Sequence, residues 1–150
     1  YADADIRRFE REIRSTGFYR NKAKNIIGAA KMIMDKFGGK VPDSMEKLIQ
    51  LPGVARKTAN IVLSHGYGKI EGIAVDTHVR RVSFRLGLTK NEDPVKIEAD
   101  LMKITPKQDW PRLSDLLIAH GRAICAAAKP RCLECVLDKL CPSKKIFYSD

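Results

Sequence analysis

The chain has 150 residues, enough for one domain or for two very small ones sharing an interface, and at that length roughly 68–70% of the unfolded surface is buried on folding. Hydrophobic residues make up 44% and charged residues 31%, which excludes disorder and collagen-like repeats; no apolar run approaches the ~18 residues of a membrane span. Lys and Arg number 28 against 18 Asp and Glu, and the resulting +10 biases the partner toward a polyanion without deciding a fold.

Tyr1 is not an initiator Met, and no leader-like charged, apolar and cleavage regions follow it, which predicts an intracellular protein or a piece of a longer one. From there the pattern is helical almost throughout. Ile6, Phe9 and Ile13 mark a first helix at three- and four-residue steps. Ile26, Ile27, Ala30, Ile33, Met34 and Phe37 mark a second, core-forming helix that also holds Met32 and ends at Gly38 and Gly39. Asp43, with Glu46 three positions on, has the spacing of a cap before a short helix to about Gln50. Leu51-Pro52-Gly53 breaks the pattern, and residues 56–65 resume it. Residues 66–72 carry three glycines and predict the boundary between a part at 1–71 and a part at 72–150. Asp76 is placed to cap a helix over 77–86. Another helix is expected over Pro94–Ile104, with Pro in its first turn. Pro106 and Pro111 bracket a loop in which Trp110 is expected to pack, and 112–127 reads as the last long helix. Lys139, Lys144 and Lys145 read as a solvated basic tail. With no repeat and no alternating strand pattern, the fold class is all-α.

All four cysteines lie in the last part: Cys125, six residues, Cys132, two residues, Cys135, five residues, Cys141. Four thiols within 17 residues of an otherwise cysteine-free chain predict a soft metal centre before disulfides. A [4Fe–4S] cluster and a zinc ion both accept four Cys; zinc more often takes two separated C-x2-C pairs, whereas here one close pair is flanked by single ligands. Lys129 and Arg131 lie around Pro130 between the first two ligands. Two cations on a pinned loop suit phosphate contact, or simply offset a negative cluster. His65, His78 and His120 have no companions at metal spacing.

The stretch Leu51-Pro52-Gly53-Val54-Ala55-Arg56-Lys57-Thr58-Ala59 is the second constellation. A helix ends, the chain turns on Gly53, and a new helix opens with unsatisfied backbone N–H groups. With the helix dipole, the amides around Gly53, Val54, Ala55 and Arg56 suit a DNA phosphate and predict sequence-tolerant binding. An ordinary helix–helix corner would carry the same pattern. Lys57 could act as a nucleophile only after losing a proton held with a pKa of ~10.4, and Arg56, the helix start and partial desolvation would all push that value down. Alone, such a Lys is a solvated charge, and an Asp such as Asp76 is a cap. Both, however, stand at helix heads on either side of the glycine-rich connector, where a cleft could join them.

At these residues the sequence resembles the endonuclease III family of DNA glycosylases, within the helix-hairpin-helix superfamily. The family's L-P-G-V-[G/A]-x-K-T-A hairpin is matched at 51–59, its V-D-T-H at 75–78, and its C-x6-C-x2-C-x5-C at the four cysteines. The resemblance implies a helix-hairpin-helix glycosylase fold, with a helical barrel domain, its N-terminal part missing here, and an iron–sulfur cluster domain. It implies a base-excision-repair glycosylase with AP (β-elimination) lyase activity that removes oxidised pyrimidines from duplex DNA. Lys57 matches the lysine that attacks C1′ and forms a Schiff base, and Asp76 the carboxylate that assists it. Phe18 matches an apolar wedge near the gap left by the flipped base, against the ordinary reading of such a Phe as core. The [4Fe–4S] cluster is expected to be structural. The partner is double-stranded DNA with a damaged base or abasic site, and the protein is expected to be a monomer, in the cytoplasm with the nucleoid and not in a membrane.

The sequence departs from the family in two respects. Ala55 stands where many relatives have a second hairpin Gly, which slightly restricts backbone approach to phosphate. The family's front segment, with its L-L-S-A-Q-T-like motif, has no counterpart in residues 1–16, so the chain is expected to be a fragment of marginal solubility. Mismatch-specific glycosylases of the superfamily share the hairpin, the Asp and often the cluster but generally lack the lysine. The other readings are a metal-stabilised, non-catalytic DNA-binding module and a zinc-bound protein-interaction domain.

Overall fold

The computed structural model describes residues 1–147, and among them every regular element is helical. By internal contacts the chain divides into two compact units, Tyr1–Leu63 and Ser64–Asp150.

The first unit holds α1 (Ile6–Glu12), α2 (Tyr19–Phe37), α3 (Met45–Leu48), α4 (Arg56–Ile61) and the start of the π-helical turn that follows it (Val62–Gly66). Asp5 caps α1 by accepting from Arg8 N at 2.7 Å. Gly38 closes α2 in the left-handed region, and Gly39 N reaches back to Ile33 O at 3.0 Å, as a glycine-ended helix requires. Two apolar clusters hold the unit. Phe9 packs with Ala23 and Ile27, and Met45, Leu48, Leu51, Ala59 and Leu63 are covered by Met32, Ile33 and Phe37 of α2. Met34, expected in the core face, is exposed instead and lies beside Gly39. The cap expected at Asp43 falls one residue later: Ser44 takes the extended N-cap position and makes no side-chain bond to the first turn.

The second unit contains α5 (Thr77–Arg85), α6 (Pro94–Ile104), α7 (Trp110–Ala123) and α8 (Lys144–Phe147), with 3-10 turns at Lys107–Asp109 and Cys132–Glu134. Its core is built by the extended run Ile73 and Val75, by Val79 and Val82 on one face of α5, and by Ile97, Leu101 and Leu117. Each such side chain removed from water contributes about 1.5–3 kcal/mol. Ser114 donates to Ala74 O at 2.7 Å and so satisfies the buried backbone of the run that delivers Asp76. Pro111 does not end a loop; it sits in the first turn of α7, where its missing N–H costs nothing. Trp110 packs against the core, as expected, and donates to Thr105 O. The helix ends at Ala123, before Cys125, which frees the chain to wrap around the cysteines. The basic tail holds a short helix at Lys144–Phe147.

The loop between α5 and α6 is tied by Asp100, which accepts from Thr89 Oγ1 at 2.7 Å and Asn91 Nδ2 at 2.6 Å, with Lys103 Nζ at 3.5 Å. The Thr89 and Asn91 hydrogen bonds hold its carboxyl below the usual aspartate value. A carboxyl depressed in the folded state adds stability above its unfolded pKa of ~3.9, and that stability is lost as pH falls through the lower folded value. Asp100→Asn should therefore shrink the difference between urea midpoints measured near about pH 6 and about pH 3, relative to the parent protein.

Candidate functional site

The hairpin is a turn with physical definition. Val54 N donates to Leu51 O at 3.0 Å, Pro52 occupies the second position and Gly53 the third with φ 77°, the arrangement of a type II turn. A Cβ on Gly53 would come within 2.8 Å of Asn25 Cβ and Nδ2, so glycine is required there by both φ and space. Gly53→Ala should lower stability by about 1–3 kcal/mol, read as a fall in the urea midpoint, because it adds left-handed strain to a clash with α2. Ala55, extended, precedes α4 and offers no side-chain acceptor to the helix's first amides. Arg56 and Lys57 follow, both exposed, while Ala59 and Asn60 on the opposite face are buried. The burial anticipated for Lys57 is not provided by the chain itself.

Asp76 stands in the second unit at the head of α5. Its Oδ1 accepts from His78 N and Val79 N, each at 2.8 Å, so the side chain is the cap that its position suggested. Among the described residues its second oxygen has no hydrogen-bond partner, which leaves one half of a fixed carboxylate available for other work. One turn on, Arg81 Nη2 lies 3.1 Å from His78 Nδ1 and donates to Gly121 O at 2.9 Å, while its Nε donates to Cys125 O at 3.1 Å. Gly121 permits this close approach of α5 and α7, since a Cβ would meet His78 Nδ1 at 3.0 Å.

The four cysteines are brought together. All are unpaired, all are half-buried, and their thiols line one small cavity with His120, Arg85 and Asp138. Arg85 Nη1 approaches Cys125 Sγ at 3.4 Å and donates to Ala126 O at 2.7 Å; Leu137 N approaches Cys135 Sγ at 3.4 Å, and His120 Nε2 lies 3.7 Å from it. Burial first, then the neighbouring Cys125, Cys141 and Cys135, push the Cys132 thiol up, with Arg85 opposing. A thiol that resists ionising beside three others fits a cationic centre that would neutralise it. No group of three or more His, Cys, Asp or Glu among the described residues is arranged around a single ion. The four thiols that line one cavity are a donor set that a sulfur-ligated group takes.

Between the first two thiols the chain is pinned by Arg131, whose guanidinium bonds Ala123 O and pairs with Glu134 at 3.2 Å. Arg131 is therefore engaged within the loop, whereas Lys129 is exposed and has no partner among the described residues. Phe18, in the first unit, is no core residue: it is 88% exposed, left-handed at φ 56°, and borders a cavity with Tyr19, Arg20 and Asn21. Arg81 and Arg85 escaped the sequence reading. Their only local sign is the run of cations on one helix, and their carbonyl partners lie 40 or more positions away. No helix among the described residues is long and apolar enough to cross a membrane.

Residues 1–107 match the family described as HhH-GPD superfamily base excision DNA repair protein. The chain is 58% identical over 142 residues to the endonuclease III of Synechocystis sp. and 48% identical over 142 residues to that of Bacillus subtilis. These alignments cover 95% and 94% of the chain but only 65% and 64% of the relatives, so the chain spans about two thirds of the length of the proteins it matches. A solved trapped endonuclease III–DNA covalent intermediate superposes with a TM-score of 0.92 at 44% identity, covering 97% of this chain and 68% of that one. A thermostable thymine-DNA glycosylase, at 24% identity and a TM-score of 0.81 over 97% of this chain and 68% of that one, shares the fold.

Proposed function

The chain belongs to the HhH-GPD superfamily of base excision DNA repair proteins, and within it to the endonuclease III family; from that premise we propose that it carries the chemistry of a DNA glycosylase with AP lyase activity toward oxidised pyrimidines. The observation that carries the reading is the pair of helix-head side chains left available for reaction. Lys57 is exposed at the start of α4, and Asp76 holds one oxygen by its cap bonds while the other has no hydrogen-bond partner among the described residues.

In this reading the hairpin amides from Gly53 to Arg56, with Lys129 and the loop that Arg131 holds, grip phosphates, and Phe18 fills the gap beside a base flipped from the stack. Lys57, as the free amine, attacks C1′; the C1′–N bond breaks and the base leaves with its electron pair, taking a proton from water. Asp76 stabilises the positive charge that develops on the sugar or takes up the proton released by the attacking amine. The C1′–O4′ bond then opens, O4′ gaining a proton, to give a Lys57–C1′ iminium. Loss of a C2′ proton expels the 3′ phosphate and cuts the strand. Cys125, Cys132, Cys135 and Cys141 would hold a [4Fe–4S] cluster, with zinc as the alternative, and that group supplies structure to the Lys129 loop. The barrel part is taken as 1–71 and the cluster part as 72–150, acting as a monomer on duplex DNA in the cytoplasm.

The test is borohydride trapping on duplex DNA that contains an abasic site. A covalent adduct supports lyase chemistry. DNA binding without an adduct, in this chain and in one extended to the relatives' full length, would replace the reading with a non-catalytic DNA-binding module.

A further inference from the structure

Arg85, the last residue of α5, meets the cysteine loop at both of its ends. Its Nη1 donates to Ala126 O at 2.7 Å and lies 3.4 Å from Cys125 Sγ, and its Nη2 donates to Ala127 O at 2.8 Å. From its own backbone, Arg85 O accepts from the Cys141 thiol at 3.4 Å. Two residues on, Gly87 leaves room for Pro142, whose Cγ a Cβ there would meet at 3.2 Å. The end of one helix thus touches the first and the last of the four thiols. The guanidinium is used both in its plane and on its face. Its N–H groups lie in one plane, and there they take two consecutive carbonyls and the sulfur. Phe147 takes the face, with its ring centroid 4.5 Å from Arg85 Cζ, which holds the cation and keeps water from that side. An arginine that only balanced charge would need none of these fixed partners.

A sulfur ligand responds to such a neighbour in two ways. The carbonyls that Arg85 holds belong to the residues directly after Cys125, so the grip fixes where that sulfur points. A cationic N–H donor also draws electron density from a thiolate, and charge and hydrogen bonds at sulfur set the potential of an iron–sulfur group. The two effects need different parts of the side chain. The grip needs the planar fork, which an ammonium group does not offer, whereas the electrostatic effect needs only the charge. Resting on the assignment of the four cysteines to a [4Fe–4S] cluster above, we propose that Arg85, covered by Phe147, is a positioning residue for that centre: its fork holds Cys125 in place as a ligand, and its charge beside the Cys125 sulfur sets the one-electron potential of the bound group.

The metal-loaded parent chain is compared with Arg85→Gln, Arg85→Lys and Phe147→Ala. Each is followed by loss of visible absorbance to a ferrous chelator, by the Fe–S(Cys) stretch in resonance Raman spectra, and by its one-electron midpoint potential in a mediated titration with dithionite. Arg85→Gln removes fork and charge together. It should release iron about tenfold faster, the scale on which partners of ligand atoms act on metal binding. It should also titrate at a lower potential, because loss of a positive charge disfavours the added electron. Arg85→Lys keeps the charge without the fork, so iron should leave as fast as from the Gln variant while the potential stays nearer the parent's. Both should raise the Fe–S stretch, since a sulfur relieved of an N–H donor binds iron more strongly. Phe147→Ala should raise it less and speed release about two- to fivefold, the loss of one cation–π contact. The proposal is overturned if the Arg85 variants lose iron faster but keep the parent's stretch and potential, which is the behaviour of a residue that only packs the loop; parent-like release from both overturns it equally. If the Arg85 variants do not retain metal on purification, Phe147→Ala decides, and a parent-like stretch and release in that variant overturn the proposal. Failure of the cluster assignment has its own sign, a colourless parent. With one zinc per chain, faster zinc release from the Arg85 variants would keep the positioning role without the potential, and parent-like release would overturn it. A parent chain that binds neither metal overturns both.

Discussion

Lys57→Ala should reduce the borohydride-trapped adduct on abasic duplex by on the order of a thousandfold or more, while affinity for the same duplex changes by less than about threefold. The asymmetry follows from what the residue would do. As a cation, Lys57 adds at most one phosphate contact beside the hairpin amides and Arg56, so its loss costs little binding. As a nucleophile it would be the atom that becomes covalently attached, and no alanine can substitute. Lys57→Arg separates the two roles further. It restores the charge, but a guanidinium stays protonated in proteins and cannot form the iminium, so binding should recover and trapping should not. Undiminished trapping by both variants would assign the Schiff base to another lysine and remove the reason for placing Lys57 at the reacting carbon.

Lys57 and Asp76 could be singled out in the sequence because their surroundings are local. A turn with Pro52 and Gly53, and an Asp directly before a helical pattern, act over a few residues, and the structure places both as helix-head residues. The same holds for the apolar spacing of α2, α5 and α6 and for the four cysteines, whose crowding in sequence alone brings them near one another. What escaped has longer reach or an unmarked backbone. Phe18 is named by its match to the family's wedge, but the positive φ at which it stands in solvent is signalled by nothing in its own identity. Met34 follows the helical period, yet it is 59% exposed beside the turn at Gly39. Arg81 and Arg85 reach carbonyls 40 and more positions away, and no local pattern announces such partners. These two arginines tie α5, and through its cap Asp76, to the chain that carries the cysteines. The motif at Asp76 therefore names the helix head and misses the side chains that hold its helix.

That tie makes the cysteines the place where a single change should have the largest structural effect. Cys132→Ser should abolish the visible absorbance and the iron and sulfide content of the purified protein, and should erase amide-exchange protection over residues 125–147 while α3 and α4 keep theirs. Little else holds that stretch: Val136 is 90% exposed, Leu133 and Leu140 are exposed as well, and its regular structure amounts to one 3-10 turn and a four-residue helix. Backbone ordering costs about 1–2 kcal/mol per residue, which so few buried side chains cannot offset. A sulfur-ligated metal group can, because its binding free energy, on the order of 10 kcal/mol in small structural sites, is also folding free energy. Cys132 is the most informative of the four to remove, since its thiol lies under the combined influence of the other three and of Arg85. A serine there leaves the remaining set one ligand short and the group exposed. Arg85 then loses a reason to hold Ala126 and Ala127, and the Lys129 loop between them and Cys132 should loosen with it. A colourless parent protein with one zinc per chain would overturn the iron–sulfur assignment yet preserve the argument for the fold. A Cys132 variant that retains full protection over 125–147 would overturn both.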